Sequence, residues 1–173
     1  MRSFREHLLA CARDEGFPLA GTIDVEPVVA GARFRAMTGE YDARLRRGLG
    51  AGLDYLVRGA EKRRDPRLIF PAAKSVLCLA VPYESLGVGL AGKVRMNPAA
   101  GPWFSRYLDG PDYHVAMTAK IEKLMVRVQA GWSSPIKWKS CVDFGAVLEK
   151  GWAVLCGLGW VGDDAPRSKV PGR

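Results

Sequence analysis

Apolar side chains recur at helical spacing over residues 2–15, and Gly16 follows them. This pattern predicts an amphipathic helix that ends at the glycine. The short apolar run Leu19–Val25, bounded by prolines, predicts a strand that leads into a second helix. Ser75–Val81 is an uninterrupted apolar segment and predicts a buried strand in the centre of the sheet.

The second half of the chain repeats this alternation. Asp112 stands where it can cap a helix, and that helix carries one apolar face formed by Val115, Ile121, Leu124, Met125 and Val128. Apolar and polar residues alternate over Ile136–Val142, which predicts a half-buried strand that delivers Asp143 to the edge of the sheet. A final apolar helix is predicted over Ala146–Leu155.

Helices and strands in this order predict an α/β (α+β) fold with a mixed central sheet flanked by helices. The 173 residues, 48% of them hydrophobic, are enough for one core and predict one domain over residues 1–162. Residues 84–105 predict a long irregular connection, and residues 163–173 predict a polar tail that is disordered or aberrant.

Charge narrows the class of partner. Lys and Arg outnumber Asp and Glu by 26 to 18, a net charge of +8, which favours acidic partners and RNA first among them. The alternative is that the surplus serves solubility alone. No apolar run approaches the roughly 20 residues of a membrane span, and no apolar stretch precedes Cys11 as in a signal peptide. The expected location is the cytoplasm.

The cysteines and histidines of the sequence give little support for a metal site. The four cysteines, at positions 11, 78, 141 and 156, are too widely spaced for a zinc or iron-sulfur motif and are predicted to be buried, reduced thiols. His7 and His114 are the two histidines of the sequence. No metal site built wholly from this chain is expected.

Four short segments, taken in order, resemble the N-terminal region of epoxyqueuosine reductase, the cobalamin-dependent iron-sulfur enzyme that completes queuosine at the tRNA wobble position. The most specific of them matches the family's Tyr-x-x-Gly-x-Asp-Tyr-His. The segments are Gly52–Leu56 with Arg64–Arg67 and Pro71–Val76, Arg106–His114, Val142–Lys150, and Gly157–Gly162. Departures from the family pattern occur at Leu53, Phe144, Ala146, Lys150 and the pair Asp163-Asp164.

This resemblance implies roles for particular residues. It implies that Asp143 is the general acid that protonates oxygen while the epoxide is reduced. It implies RNA contacts for Arg67 and Arg106. It also implies a group that binds cobalamin or the nucleotide: Tyr107, Asp112, Tyr113, His114, Lys150, Gly159 and Trp160.

Asp143 and His114 each keep an alternative role. A carboxyl at a strand end that faces an apolar cleft can retain a proton for donation, but Asp143 could equally cap the helix that begins near Ala146. His114 could pack in the interior or line the cleft.

The resemblance implies cobalamin as cofactor, whereas the two 4Fe-4S clusters of full-length enzymes have no ligands in this chain. The expected protein is therefore truncated or frame-shifted, inactive alone, and dependent on a separate iron-sulfur electron donor, with tRNA as substrate and no membrane partner. One alternative is a non-catalytic, basic RNA-binding or interaction module that retains the fold. Another is an unstable product that exposes Trp152 and Trp160.

Overall fold

The computed structural model describes residues 2–50, 52–82 and 112–160. The described residues form seven α-helices, one 3-10 helix and two strands. In chain order these are α1 (Phe4–Asp14), β1 (Leu19–Asp24), α2 (Val25–Val29), α3 (Ala32–Arg46), α4 (Asp54–Arg58), α5 (Ala60–Arg64), a 3-10 turn (Pro66–Leu68), β2 (Ser75–Ala80), α6 (Tyr113–Ala130) and α7 (Glu149–Leu155).

The two strands pair antiparallel, from Leu19 opposite Ala80 to Asp24 opposite Ser75. The strands predicted over residues 19–25 and 75–81 are confirmed, and so is the coarse combination of helices with a sheet. Within the described part of the chain, however, the sheet has two strands, and β2 has β1 as its single neighbour. The predicted mixed sheet with β2 at its centre is not found there.

The main core lies where α1 and α6 pack with β1. Its fully buried side chains come from α1, from the turn after it and from the second half of α6, namely Leu8, Cys11, Ala12, Phe17, Leu124 and Val128. The predicted amphipathic stripes of both helices therefore face each other across this core. Val115 departs from the prediction, because this residue of the first turn of α6 is 68% exposed.

Local hydrogen bonds explain where several helices begin. Ser3 and Glu6 form a reciprocal capping box at the start of α1. Asp65 accepts a hydrogen bond from the backbone N–H of Arg67 and so caps the 3-10 turn. Asp112 does the same for the N–H of His114 at the start of α6. The cap predicted at Asp112 is confirmed.

A second packed region joins α3 to α7. The Trp152 ring is 1% exposed and lies 4.9 Å from the Phe34 ring, measured between centroids. Gly151 approaches α3 so closely that a Cβ there would stand 2.0 Å from the sulfur of Met37. The alternative of an unstable product that exposes both tryptophans is therefore wrong for Trp152, whereas Trp160 is 85% exposed.

The segment between α6 and α7 differs most from expectation. Residues 136–142, all within the described ranges, form no strand, and α7 begins at Glu149, three residues later than predicted. The side-chain oxygen of Gln129, at the end of α6, accepts the backbone N–H of Ile136 at 2.8 Å. Its amide nitrogen donates to the carbonyls of Trp132 and Ser134. A side chain, and not a neighbouring strand, holds the start of this segment.

Some predictions fall outside the described residues, namely the irregular connection over 84–105 and the tail over 163–173. Among the residues that are described, no helix combines the length and the apolar character that crossing a membrane requires.

Candidate functional site

Asp143 lies in the irregular loop that precedes α7. Its φ angle is +56°, and it is the one non-glycine residue with positive φ in the described ranges. The N–H of Phe144 donates to the carbonyl of Val142 at 2.6 Å, which places Asp143 at the centre of a three-residue γ-turn. Such conformations are sparsely populated and concentrate at functional sites. The Asp143 side chain is 52% exposed.

The first turn of α6 meets this loop. The Tyr113 hydroxyl donates a hydrogen bond to Oδ2 of Asp143, and Nε2 of His114 lies 3.9 Å from the same oxygen. Nδ1 of His114 is 2.7 Å from Oδ1 of Asp112, so the helix cap also orients the imidazole ring. The Tyr113 and His114 rings are stacked, with centroids 4.0 Å apart. Four residues predicted for the site, Asp112, Tyr113, His114 and Asp143, thus form one cluster.

Glu149 belongs to the same cluster, and the sequence analysis did not assign it to the site. Its Oε1 accepts the backbone N–H of Asp143 at 3.0 Å, and the two carboxyl groups lie within hydrogen-bonding reach of each other. Glu149 is half-buried, whereas Asp143 is exposed. The signal that could have revealed it is a second carboxylate six residues after Asp143, inside the same family-like segment.

The two carboxyl groups have opposite pKa shifts. Hydrogen bonds, first from Tyr113 and then from Glu149, hold the pKa of Asp143 below its ordinary value. Partial burial, followed by the hydrogen bond with Asp143, raises the pKa of Glu149 to about 7. Asp143 is therefore ionised near neutral pH, and below pH 7 the proton of the pair resides on Glu149. This corrects the expectation that burial keeps Asp143 itself protonated.

A helix cap at Asp143 is also excluded as the explanation of its position. The residue that precedes α7 is Leu148, and no side chain hydrogen-bonds there as a cap. Asp143 lies five residues further upstream and contacts α6 instead.

An open cavity of about 460 Å³ lies beside the cluster, within the range of about 300–1,000 Å³ found for small-molecule sites. His114 and Phe144 line it with aromatic rings whose centroids are 4.4 Å apart, and Phe144 is 85% exposed. Two basic residues, Lys62 and Lys139, are also part of the lining. An aromatic wall with basic donors suits a planar, polar-edged ligand or a nucleotide.

The remaining predicted residues lie elsewhere. The Arg67 guanidinium forms ion pairs with Asp65 and Glu26. Lys150 is exposed on the first turn of α7. Gly159 and Trp160 follow the other end of that helix, which at 1.5 Å per residue lies roughly 10 Å from Glu149. Tyr107 and Arg106 lie outside the described residues.

Metal-ligating groups do not converge in the part of the chain that the structure describes: no three His, Cys, Asp or Glu side chains are arranged to hold an ion. All four cysteines are free thiols. Cys11 is buried as predicted, and the other three are partly exposed.

Comparison with protein families gives a match for the segment that contains most of this cluster. Residues 63–144 match the family described as "Epoxyqueuosine reductase QueG, DUF1730". The chain resembles part of an epoxyqueuosine reductase. No solved structure matches it.

Curated relatives extend the resemblance beyond that segment. A Pseudomonas aeruginosa protein named epoxyqueuosine reductase is 34% identical over 158 residues, which are 87% of this chain and 39% of that protein. A Gloeobacter violaceus protein of the same name is 35% identical over 138 residues, 78% of this chain and 40% of the relative. The chain thus spans about two-fifths of the length of these epoxyqueuosine reductases.

Proposed function

We propose that this chain is the cobalamin-binding and substrate-binding part of an epoxyqueuosine reductase, which reduces epoxyqueuosine to queuosine in tRNA. The observation that carries the proposal is the meeting of Tyr113, His114 and Asp143 beside an open cavity. Tyr113 and His114 are neighbours in one family-like segment, and Asp143 lies 30 residues after Tyr113 in another. The resemblance to epoxyqueuosine reductases adds the reaction class.

The lining of the cavity fits one side of a cobalamin. A corrin ring presents a flat, largely apolar face fringed by amide groups. Phe144 and His114 offer aromatic surface to such a face, and the ammonium groups of Lys62 and Lys139 can donate hydrogen bonds to amide oxygens. When bound, cobalamin would supply the reducing centre of the reaction.

The residues of the chain would handle protons. Reduction of an epoxide to an alkene consumes two electrons and two protons and releases water, so the leaving oxygen must be protonated. Tyr113 and Asp143 are hydrogen-bonded to each other, and each is next in sequence to a residue that lines the cavity, His114 or Phe144. Because Asp143 is ionised near neutral pH, its proton must be supplied by a neighbour.

Electrons would come from a separate iron-sulfur unit, and the chain alone is not expected to complete the reduction. The basic surface would favour the tRNA backbone, with Lys62 and Lys139 at the cavity as candidates for phosphate contacts. Arg106 and Lys150 remain predictions for such contacts. Arg67 is a weaker candidate than the resemblance implies, because the carboxylates of Asp65 and Glu26 already bind its guanidinium.

Titration with hydroxocobalamin, followed by its visible absorption spectrum, tests the proposal. Saturable spectral change that weakens at least tenfold in His114→Ala is expected, while the control Val126→Ala, on an exposed part of α6 away from the cluster, binds normally. Salt-sensitive binding of tRNA without any corrinoid binding would instead favour a non-catalytic RNA-binding module.

A further inference from the structure

Glu149 closes the loop that carries Asp143. It is the first residue of α7, and its side chain turns back across the loop to accept the backbone N–H of Asp143 at 3.0 Å. We propose that Glu149 is a positioning residue that holds Asp143 at the site and stores the proton that Asp143 delivers. This inference rests on the proposed function for its role in the reaction, but the geometry it invokes belongs to the chain by itself.

The positioning role follows from the backbone of the γ-turn. A left-handed conformation is unfavourable for a residue with a Cβ and persists only where surrounding contacts hold it. At Asp143 those contacts are the Glu149 oxygen on its N–H and the Tyr113 hydroxyl on its carboxylate. One bond fixes the backbone, and the other fixes the side chain.

The proton-storing role follows from the proximity of two carboxyl groups. Two carboxylates within hydrogen-bonding reach repel each other unless one of them is protonated. Glu149 is the more buried of the two, and Asp143 receives the Tyr113 hydroxyl, so the proton is favoured on Glu149. The pKa of about 7 for Glu149, raised first by burial, agrees with this assignment.

Other titratable groups face the pair from each neighbouring element. Tyr113 and His114 approach it from α6, Cys141 from the loop before Asp143, and Cys78 from β2. A cationic His114 would lower the pKa values of both carboxyls. The pKa values of both thiols lie above their ordinary value, so neither thiol adds a negative charge beside the pair near pH 7.

The proposed step is a proton relay. The O–H bond of Glu149 breaks and a new O–H bond forms on the Asp143 carboxylate. That bond breaks in turn as the proton passes to the oxygen of the substrate, which leaves Asp143 as the carboxylate again. Glu149 is left as the carboxylate and regains its proton from solvent. The relay moves one proton and no electrons.

Carboxyl ¹³C NMR of the substrate-free chain, labelled at its Asp and Glu side chains, tests the inference. In the wild type, one glutamate signal should titrate near pH 7, and it should be absent from the spectrum of Glu149→Gln. In Asp143→Asn, that titration should move toward lower pH, because the neighbouring negative charge is lost. Glu122→Gln, at an exposed position on α6, is the matched control and should leave the signal in place.

Two further variants separate positioning from proton storage. Glutamine keeps an oxygen for the Asp143 N–H and an amide that can donate to its carboxylate, whereas alanine keeps neither. The backbone amide resonance of Asp143 should therefore stay near its wild-type position in Glu149→Gln and move in Glu149→Ala. Equal amide shifts in the two variants would overturn the positioning role.

A Glu149 signal that titrates at the ordinary value near 4.5, or one that Asp143→Asn leaves unmoved, would overturn the shared proton. None of these readouts requires corrinoid, tRNA or turnover. Failure of hydroxocobalamin to bind would count against the proposed function while leaving the NMR result intact.

Discussion

Different interactions stabilise the core between α1 and α6 and the loop that carries Asp143. In the core, Phe17, Leu124 and Val128 are completely buried, and they come from the turn after α1 and from the second half of α6. In the loop, Phe144 is 85% exposed and Asp143 has a positive φ. Packing stabilises the first region, whereas a few polar contacts hold the second.

The helix α6 links the two regions. Its second half buries Leu124 and Val128, and its first turn presents Tyr113 and His114 to the loop. A rigid element can thus carry functional side chains at the end that it does not use for packing. The contrast suggests that core substitutions should change stability, whereas loop substitutions should change proton chemistry and binding.

The largest effect is expected in the core. Phe17→Ala should lower the free energy of unfolding by about 3–5 kcal/mol, because a fully buried aromatic ring leaves a cavity. Urea denaturation followed by circular dichroism measures the loss. The control is Val126→Ala, on α6, where the side chain is 71% exposed. This substitution should change the free energy of unfolding by less than about 0.5 kcal/mol. Similar losses in both variants would contradict the assignment of the core.

The next effect is a pH dependence that originates in the loop. The pKa of Glu149 in the folded chain, about 7, lies above its ordinary value of 4.5. Its contribution to stability is therefore complete below about pH 4.5 and is lost as the pH rises through 7. Between those limits the wild type should lose roughly 1–2 kcal/mol relative to Glu149→Gln, a range that allows for the partial exposure of the group.

Unfolding experiments at pH 4.5, 6 and 8 measure that difference. The free energy of unfolding of Glu122→Gln should differ from that of the wild type by the same amount at all three pH values, since this residue is exposed. A constant difference between the wild type and Glu149→Gln would mean that Glu149 titrates alike in the folded and unfolded states.

A smaller effect should reveal the backbone strain at Asp143. Asp143→Gly and Asp143→Ala both remove the carboxylate, so the difference between them isolates the backbone. Glycine adopts a positive φ freely, and alanine does not. The alanine variant should be less stable by about 1 kcal/mol in urea denaturation. Equal stabilities would indicate that the turn relaxes when its side chain is lost.

The smallest effect on stability is expected at Phe144. Because the ring is mostly exposed, Phe144→Ala should change the free energy of unfolding by less than about 0.5 kcal/mol. If the ring packs on bound corrinoid, the dissociation constant for hydroxocobalamin should rise roughly two- to tenfold. Leu49→Ala, another exposed apolar site, is the control and should leave binding unchanged. Unchanged binding in Phe144→Ala would remove this residue from the proposed cofactor surface.

Local patterns were enough to predict several elements. The stripe of α1, the apolar run of β2 and the cap at Asp112 depend on neighbours in the sequence, and each prediction is confirmed. The alternation over residues 136–142 misled the prediction, because the Gln129 side chain holds the backbone there. Val115 also followed the helical period, yet its turn of α6 lies beyond the core.

The resemblance of two sequence segments to epoxyqueuosine reductases marked Asp143, Tyr113 and His114 as candidates, and that resemblance can be read without the structure. Folding decided that these groups meet, that Trp152 is buried, and that Glu149 joins Asp143. It also decided which carboxyl holds the proton. Burial and the distance between charges set that choice, and both arise from contacts between segments far apart along the chain.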